Sequence, residues 1–453
     1  MSKVSHYNST NPATGLLVKS FQSASDEEVF SALAKAHDAY IKIWRETPVV
    51  KRCEIVGRAA ALMRERKQEL SEIAVMEMGK TISAMEVEVD ISADILEYYA
   101  KNGEEFLKTV PCPGVPGAEV ISEPIGVILA IEPWNFPYYQ IARVAGPQIV
   151  AGNTMLVKPA STLMIDAGAP VGVYTNLLCS VSQINALIDN FLVRGVTLTG
   201  SERASAAVAE RASRNMKKVV LELGGSDPLI VLEDANLEEA IQVAAAGRMI
   251  CMGQACASIK RYIIIGKERG AEFQEGIVKI FSAMQPGDPM DRSTTLGPLF
   301  AESGVRDILA QVEQARAAGA TVVHGGKRVG RPGCYMEPTL ITNISPENPL
   351  YRQETFGPVA SLYVVDTEEE AIEIANATTF GLGSSVYSSN IEHAKEIAAK
   401  MEAGMVFINS ALNAGADVPF GSVKNSGFGR ELGELGIGEF LNKKLVRVHQ
   451  KYL

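Results

Sequence analysis

From residue 120 onward the chain alternates short apolar runs with amphipathic stretches, and this alternation constrains the fold more than any other feature. VISEPIGVILAIEP (120–133) holds two apolar runs, and TMLVKPA (154–160) is a buried strand ending at Lys158 and Pro159. GVTLTGSER (195–203) reads as strand, turn and helix, and KKVVLELGGSDPLIVL (217–232) as two strands around a glycine pair. A helical stretch, NLEEAIQVAAAGRMICMGQAC (236–256), leads into the strand RYIIIG (261–266). The pattern restarts with AESGVRDILAQVEQARAAGATVVHGG (301–326), and MVFIN (405–409) is a further strand between helical segments. Strands that alternate with helices predict a parallel sheet covered by helices on its faces.

Upstream, residues 26 to 108 read as mostly helical, with apolar residues at helical spacing behind an acidic first turn. PCPGVPG (111–117) is a turn-rich connector. At 453 residues the chain exceeds what one core supports, so two or three domains are expected. A net charge of -10 without a basic stripe argues against a nucleic-acid partner or an anionic membrane surface. No apolar stretch reaches membrane-span length, and the N-terminal segment lacks the layout of a secretory signal. Six cysteines lie at positions 53, 112, 179, 251, 256 and 334, without CxxC or a nearby His pair. That spacing fits neither a disulfide framework nor a metal site, and points to reduced thiols in a cytoplasmic protein. KKLVRVHQKYL (443–453) alternates charged and apolar residues as a terminal edge strand does, and such an edge can pair with another subunit.

Several residues could carry chemistry, each with a bland alternative. Cys256 follows the small-residue run Gly253-Gln254-Ala255 at a helix end, where backbone approaches a ligand closely. A lone cysteine is more often a structural thiol. Glu222 precedes Gly224-Gly225 and points a carboxylate into a crevice, although an edge-strand Glu facing solvent is commoner. Asn135, between Trp134 and Phe136 and flanked by Pro133 and Pro137, suits an amide aimed at developing negative charge; an Asx turn explains it as well. Thr199-Gly200-Ser201 lies between strand and helix, where backbone N–H groups favour phosphate. Lys158 ends an apolar strand and could meet a ribose or phosphate, or snorkel at the surface.

Taken together, EPIGV, PWNFP, GNTMLVKPAS, TGS, LELGGSDP, GQAC, QETFGPV and PFGSVKNSGFGRELG stand in one order over nearly the whole chain. This set resembles the aldehyde dehydrogenase superfamily, most closely its bacterial succinate-semialdehyde dehydrogenases. The resemblance implies an α/β fold with a Rossmann-type cofactor domain (1–110 and 130–221), an α/β catalytic domain (222–410) and a small β oligomerisation element (111–129 with the C-terminal segment 411–453). It implies Cys256 as nucleophile, Asn135 as oxyanion donor and Glu222 as general base. Around NADP or NAD it places Trp134, Lys158, Ser161, Gly200, Ser201, Leu223, Glu354 and Phe356. A neutral Ser161 beside Lys158 removes the carboxylate that would repel a 2′-phosphate, which favours NADP with NAD accepted. Arg143, with Arg248 as a second candidate, would grip the distal carboxylate of the aldehyde, because a guanidinium meets a carboxylate bidentately. A homodimer or homotetramer is the expected assembly.

Two departures from the family fall on the cofactor domain. The stretch from Ala160 to Gly172 is about a dozen residues shorter than the usual crossover and contains Gly168 and Pro170, so a full helix cannot fit. Ser205 stands where relatives commonly carry Gly. These changes keep two rival readings open, a cofactor-poor structural or binding protein and a thiol esterase. Cys251, five residues before Cys256, raises a reversible disulfide as an expectation to examine.

Overall fold

The computed structural model describes residues 6–158, 163–412 and 415–449. A hairpin of β1 (His6–Thr10) and β2 (Leu17–Gln22) precedes four helices, α1 (Asp26–Ala39), α2 (Val49–Glu65), α3 (Lys67–Met78) and α4 (Ile82–Phe106). Ser25 fixes the start of α1: its hydroxyl accepts the Glu28 N–H, and the Glu28 carboxylate accepts the Ser25 N–H. Helices α2 and α4 bury Val56, Ala59, Val89 and Ala93 in one core that continues under the first sheet.

Next come β3 (Val110–Pro111), β4 (Ala118–Pro124), β5 (Val127–Ile131), α5 (Tyr139–Ala151), β6 (Thr154–Lys158), α6 (Leu163–Asp166), β7 (Tyr174–Asn176), α7 (Val181–Asp189), β8 (Val193–Thr199), α8 (Glu202–Arg214) and β9 (Lys218–Glu222). Strands β5 to β9 are parallel, in the spatial order β9-β8-β5-β6-β7. Their apolar runs are explained by burial on both faces, with α5 itself wholly buried from Gln140 to Ala151.

After Gly224-Gly225 the chain enters a second sheet through β10 (Asp227–Val231), α9 (Leu237–Met249), β11 (Ile259–Ile265), α10 (Lys267–Ala283), α11 (Glu302–Ala317), β12 (Thr321–His324), β13 (Thr339–Thr342), β14 (Val359–Val365), α12 (Glu368–Asn376), β15 (Gly383–Tyr387), α13 (Ile391–Ala398) and β16 (Met405–Ile408). Its order is β12-β13-β14-β11-β10-β15-β16, parallel apart from β12. Then β17 (Gly427–Phe428), inside the expected C-terminal segment, returns to pair with β9 in the first sheet. Past α14 (Gly433–Gly438), β18 (Leu441–Arg447) pairs antiparallel with β4, and β3 completes this third sheet. Among the described residues, no helix is long and apolar enough to cross a membrane.

Among its described residues, the short crossover between β6 and β7 holds one helical turn, α6. Gly172 has φ +93, and a Cβ there would meet the Lys35 carbonyl oxygen at 2.5 Å, so the chain passes hard against α1. Beside the turn lies an open hollow of about 570 Å³, bordered by Glu28, Lys35, Ile165, Val171 and Tyr174.

Candidate active site

Cys256 sits on the loop between α9 and β11, and the loop's path explains the GQAC spacing. Cys251, Met252 and Gly253 turn consecutively through left-handed conformations, with φ of +51, +55 and +75. Only the third is glycine, so the first two carry strain. Gln254 closes the turn: its backbone N–H and side-chain amide both donate to the Cys251 carbonyl, at 3.0 and 3.1 Å.

Arg248 holds this loop from beneath. Its guanidinium donates to Ser258 Oγ at 2.9 Å and to the carbonyls of Gly253 at 3.0 Å, Thr355 at 2.9 Å and Gly357. The side chain is fully buried, and both of its terminal nitrogens are engaged internally. The expectation that Arg248 grips a substrate carboxylate is therefore corrected: it is a brace for the nucleophile loop. A helical arginine reads the same in sequence whether its donors meet a ligand or carbonyls of its own chain.

Lys260, on β11, donates to the carbonyls of Ala255 at 2.9 Å and Cys256 at 2.5 Å, and pairs with Glu354 at 3.2 Å. The Gly225 N–H also donates to Glu354, at 3.2 Å. The glycine pair follows from this crowding. A Cβ on Gly225 would lie 2.5 Å from the Cys256 carbonyl oxygen, and one on Gly224 would collide with the Glu354 carboxylate. Glu354, expected at the cofactor ribose, thus lies against the glycine pair with its carboxylate on Lys260.

Asn135 is buried, and its Nδ2 donates to the Gln254 carbonyl at 3.0 Å. An amide has two N–H donors, so one remains beside the nucleophile loop. Gln140 Nε2 contacts Asn135 Oδ1 at 3.4 Å, which fixes which side of the amide faces the loop. Trp134 stacks on Phe300 with centroids 4.0 Å apart, and meets Phe356 edge-on at 6.0 Å.

The Cys256 thiol is half-buried, and burial pushes it up to about 11 against the pull of Arg143 and Lys260. At neutral pH it is a thiol that needs a proton acceptor. Glu222, at the end of β9, supplies a carboxyl 1% exposed and without a hydrogen-bond partner among the described residues. Burial and the neighbouring Glu431 raise it well above the ordinary carboxylate range, with Arg143 opposing. Such a carboxyl is a stronger base than an exposed one. Leu223, next in the chain, donates its N–H to the Ser426 carbonyl at 2.9 Å.

Arg143 lies on α5 between the rings of Tyr139 and Phe420. It forms a buried ion pair with Glu431 at 2.6 Å and donates from Nη2 to Gln140 Oε1 at 2.5 Å and Thr199 Oγ1 at 3.2 Å. The contacts to Glu431, Gln140 and Thr199 use Nε and Nη2 of the guanidinium.

The remaining expected cofactor residues lie at the carboxyl ends of the first sheet. Lys158 closes β6, half-buried, with Nζ 5.6 Å from the Tyr7 ring centroid. Gly200 and Ser201 lead into α8, whose Ser201 hydroxyl accepts the Ala204 N–H at 3.4 Å while residues 201–204 stay exposed. Ser161 lies outside the described residues. Ser205 is fully buried in the first turn of α8, and its hydroxyl has no partner among the described residues. The two neighbouring thiols are separate: Cys251 contacts the Asn135 carbonyl at 3.5 Å and packs with Met78 and Met85, and both cysteines are free.

Sequence reading missed Lys260, Phe300, Glu132 and Glu431. A lysine inside the apolar strand IKRYIII and a glutamate directly before PWNFP were available signals.

The aldehyde dehydrogenase family matches residues 1–446. The chain is 46% identical over 449 residues to a succinate-semialdehyde dehydrogenase [NADP(+)] of Deinococcus radiodurans, covering 96% of this chain and 94% of that protein. Among solved structures, succinic semialdehyde dehydrogenase from Streptococcus pyogenes in complex with NADP+ superposes with a TM-score of 0.95 at 41% identity, covering 98% of this chain and 99% of that one. A Bacillus cereus aldehyde dehydrogenase in complex with NAD+ gives a TM-score of 0.95 at 30% identity, covering 98% and 94%. The chain belongs to the aldehyde dehydrogenase family.

Proposed function

We propose that this chain oxidises succinate semialdehyde to succinate, with NADP+ as the preferred acceptor and NAD+ accepted. The observation that carries the reading is the convergence of Cys256, Asn135 and Glu222 from three separate elements, within a fold shared with relatives of that activity. The residues present fit a dinucleotide: an exposed helix start at Gly200-Ser201, a half-buried cation at Lys158 and the Trp134–Phe356 aromatic pair. When bound, the nicotinamide accepts the hydride from the aldehyde carbon.

Cys256 Sγ adds to the aldehyde carbon, forming the S–C bond as its proton passes to Glu222. The free N–H of Asn135 and the Cys256 backbone N–H hold the resulting oxyanion. Loss of hydride leaves a thioester on Cys256, and Glu222 gives the thiol proton up to solvent, which returns it to the carboxylate. Glu222 then takes a proton from water, the hydroxyl adds to the thioester carbon, and the acid leaves as the thiolate is expelled. Return of that proton to Sγ restores the resting thiol. Arg143 Nη1 is the arm we assign to the distal carboxylate of the substrate.

The test is reduced-cofactor absorbance with aldehydes that carry or lack a distal carboxylate. We expect a higher kcat/KM for succinate semialdehyde, with Arg143→Lys raising KM for it and sparing acetaldehyde. Equal loss on both aldehydes sinks the carboxylate role. Ester cleavage without cofactor reduction would replace the dehydrogenase reading by the thiol esterase. The domain boundaries at residues 221 and 410, a homo-oligomer joined through β18 and a cytoplasmic site complete the reading. They are supported by the three sheets, the outer edge of β18, unpaired among the described residues, and the six free thiols.

A further inference from the structure

Glu132 is the residue directly before PWNFP, and the mechanism above gives it no task. It lies one position beyond β5, where Ile131 stands opposite Leu198 of β8; one row further, Thr199 stands opposite Glu222 of β9. In a parallel sheet, residues in one row point to one face. Continued by one row, that register makes Glu132, Thr199 and Glu222 neighbours, with Thr199 as the middle residue. All three are more than nine-tenths buried, and neither glutamate has a hydrogen-bond partner among the described residues.

The charges around this row do not balance if every carboxyl is ionised. From α5 come Arg143 and Tyr139; from the C-terminal segment come Glu431, Arg430 and, beyond it, Glu439; the nucleophile loop brings Cys256. Arg143 is committed to Glu431 at 2.6 Å. Arg430 donates to the carbonyls of Ser422 and Gly429. Glu132 and Glu222 are left without a counter-ion in a buried site, where two such carboxyls do not both ionise. Burial first, then Glu431, pushes Glu132 well above the ordinary carboxylate range, while Arg143 and Thr199 oppose.

We propose that Glu132 is a positioning residue that holds a proton for the base, donating it to Thr199 Oγ1 while the Thr199 hydroxyl donates to the Glu222 carboxylate. Thr199 Oγ1 already accepts from Arg143 Nη2 at 3.2 Å, so its lone pairs take two donors and its own O–H has one direction left. The chain of donors holds Glu222 ionised and oriented for water. It neither gains nor loses a proton in the cycle, because Glu222 gives the thiol proton up to solvent and returns the water proton to Cys256.

The inference rests on Glu222 being the base, so the test separates the two. With Glu222→Gln, loss of steady turnover together with a slowed burst of reduced cofactor supports the base; steady turnover refutes it, and the inference with it. The inference itself is read from the acid limb of the pH profile for thioester hydrolysis. Glu132→Met removes the donor, and we expect the limb to move to higher pH by about one unit. Thr199→Val breaks the same link and gives the same shift, while Glu132→Gln, whose amide still donates, restores the wild-type limb. If Glu132→Met does not fold, Thr199→Val carries the test alone. An unmoved limb overturns the inference. A shift to lower pH also overturns it, because it marks Glu132 as an ionised repeller of Glu222.

Discussion

Asn135 shows how one side chain can serve two purposes in a buried site. One N–H secures the loop through the Gln254 carbonyl, and the other is the one we assign to the oxyanion. Asn135→Ala removes both, and we expect kcat to fall about 10²- to 10³-fold, measured against succinate semialdehyde. Cys251 carries the opposite kind of tension, since a β-carbon at φ +51 is strained by about 1 kcal/mol relative to a residue that tolerates the left-handed region. Cys251→Asn should raise the thermal midpoint and leave hydrolysis intact; a lower midpoint would show that lost packing on Met85 outweighs relief. Asp227 gives a pH signature. Burial raises its carboxyl to about 6, with Lys260 opposing. The unfolded chain ionises first, so this group lowers stability as pH rises from about 4 to about 6, by roughly 3 kcal/mol at most. Asp227→Asn should therefore gain on wild type over that window and hold its advantage above it, seen as melting midpoints at pH 4 and 7.

At the scale of elements, the segment from β9 through the glycine pair to β10 brings the Glu354 carboxylate and the Cys256 carbonyl against bare Cα atoms. Gly225→Ala puts a methyl group 2.5 Å from the Cys256 carbonyl oxygen, so the nucleophile loop must shift. We expect loss of most activity with an unchanged far-ultraviolet spectrum; full activity would show that the loop has slack. Much of this was legible beforehand. Apolar periodicity marked the strands and helices, and PWNFP, LELGG and GQAC marked the site because each needs special backbone or small residues. Lys260 and Phe300 were not legible, since their meeting with Cys256 and Trp134 depends on how separate segments pack. Arg248 was misread because partners of a buried guanidinium are set by tertiary carbonyls, not by spacing along its helix. The crossover was readable from residue count alone: thirteen positions with Gly168 and Pro170 leave room for one turn.

For the whole molecule, the outer edge of β18 bears directly on assembly. Lys443, Lys444 and Leu445 are exposed there, and among the described residues the strand is paired on one side only. Leu445→Pro removes a backbone donor and should lower the mass seen by light scattering if that edge joins subunits; an unchanged mass would place the interface elsewhere. The site itself straddles two sheets: Glu222 ends the last parallel strand of one, and Cys256 hangs from a loop feeding the other, with two glycines between β9 and the residues that enter β10. Catalytic competence is thus a gauge of alignment between the two sheets. On gradual heating, turnover should vanish several degrees before helical signal does, and the lost activity should return on cooling, because sliding at that seam disables the enzyme without melting either half.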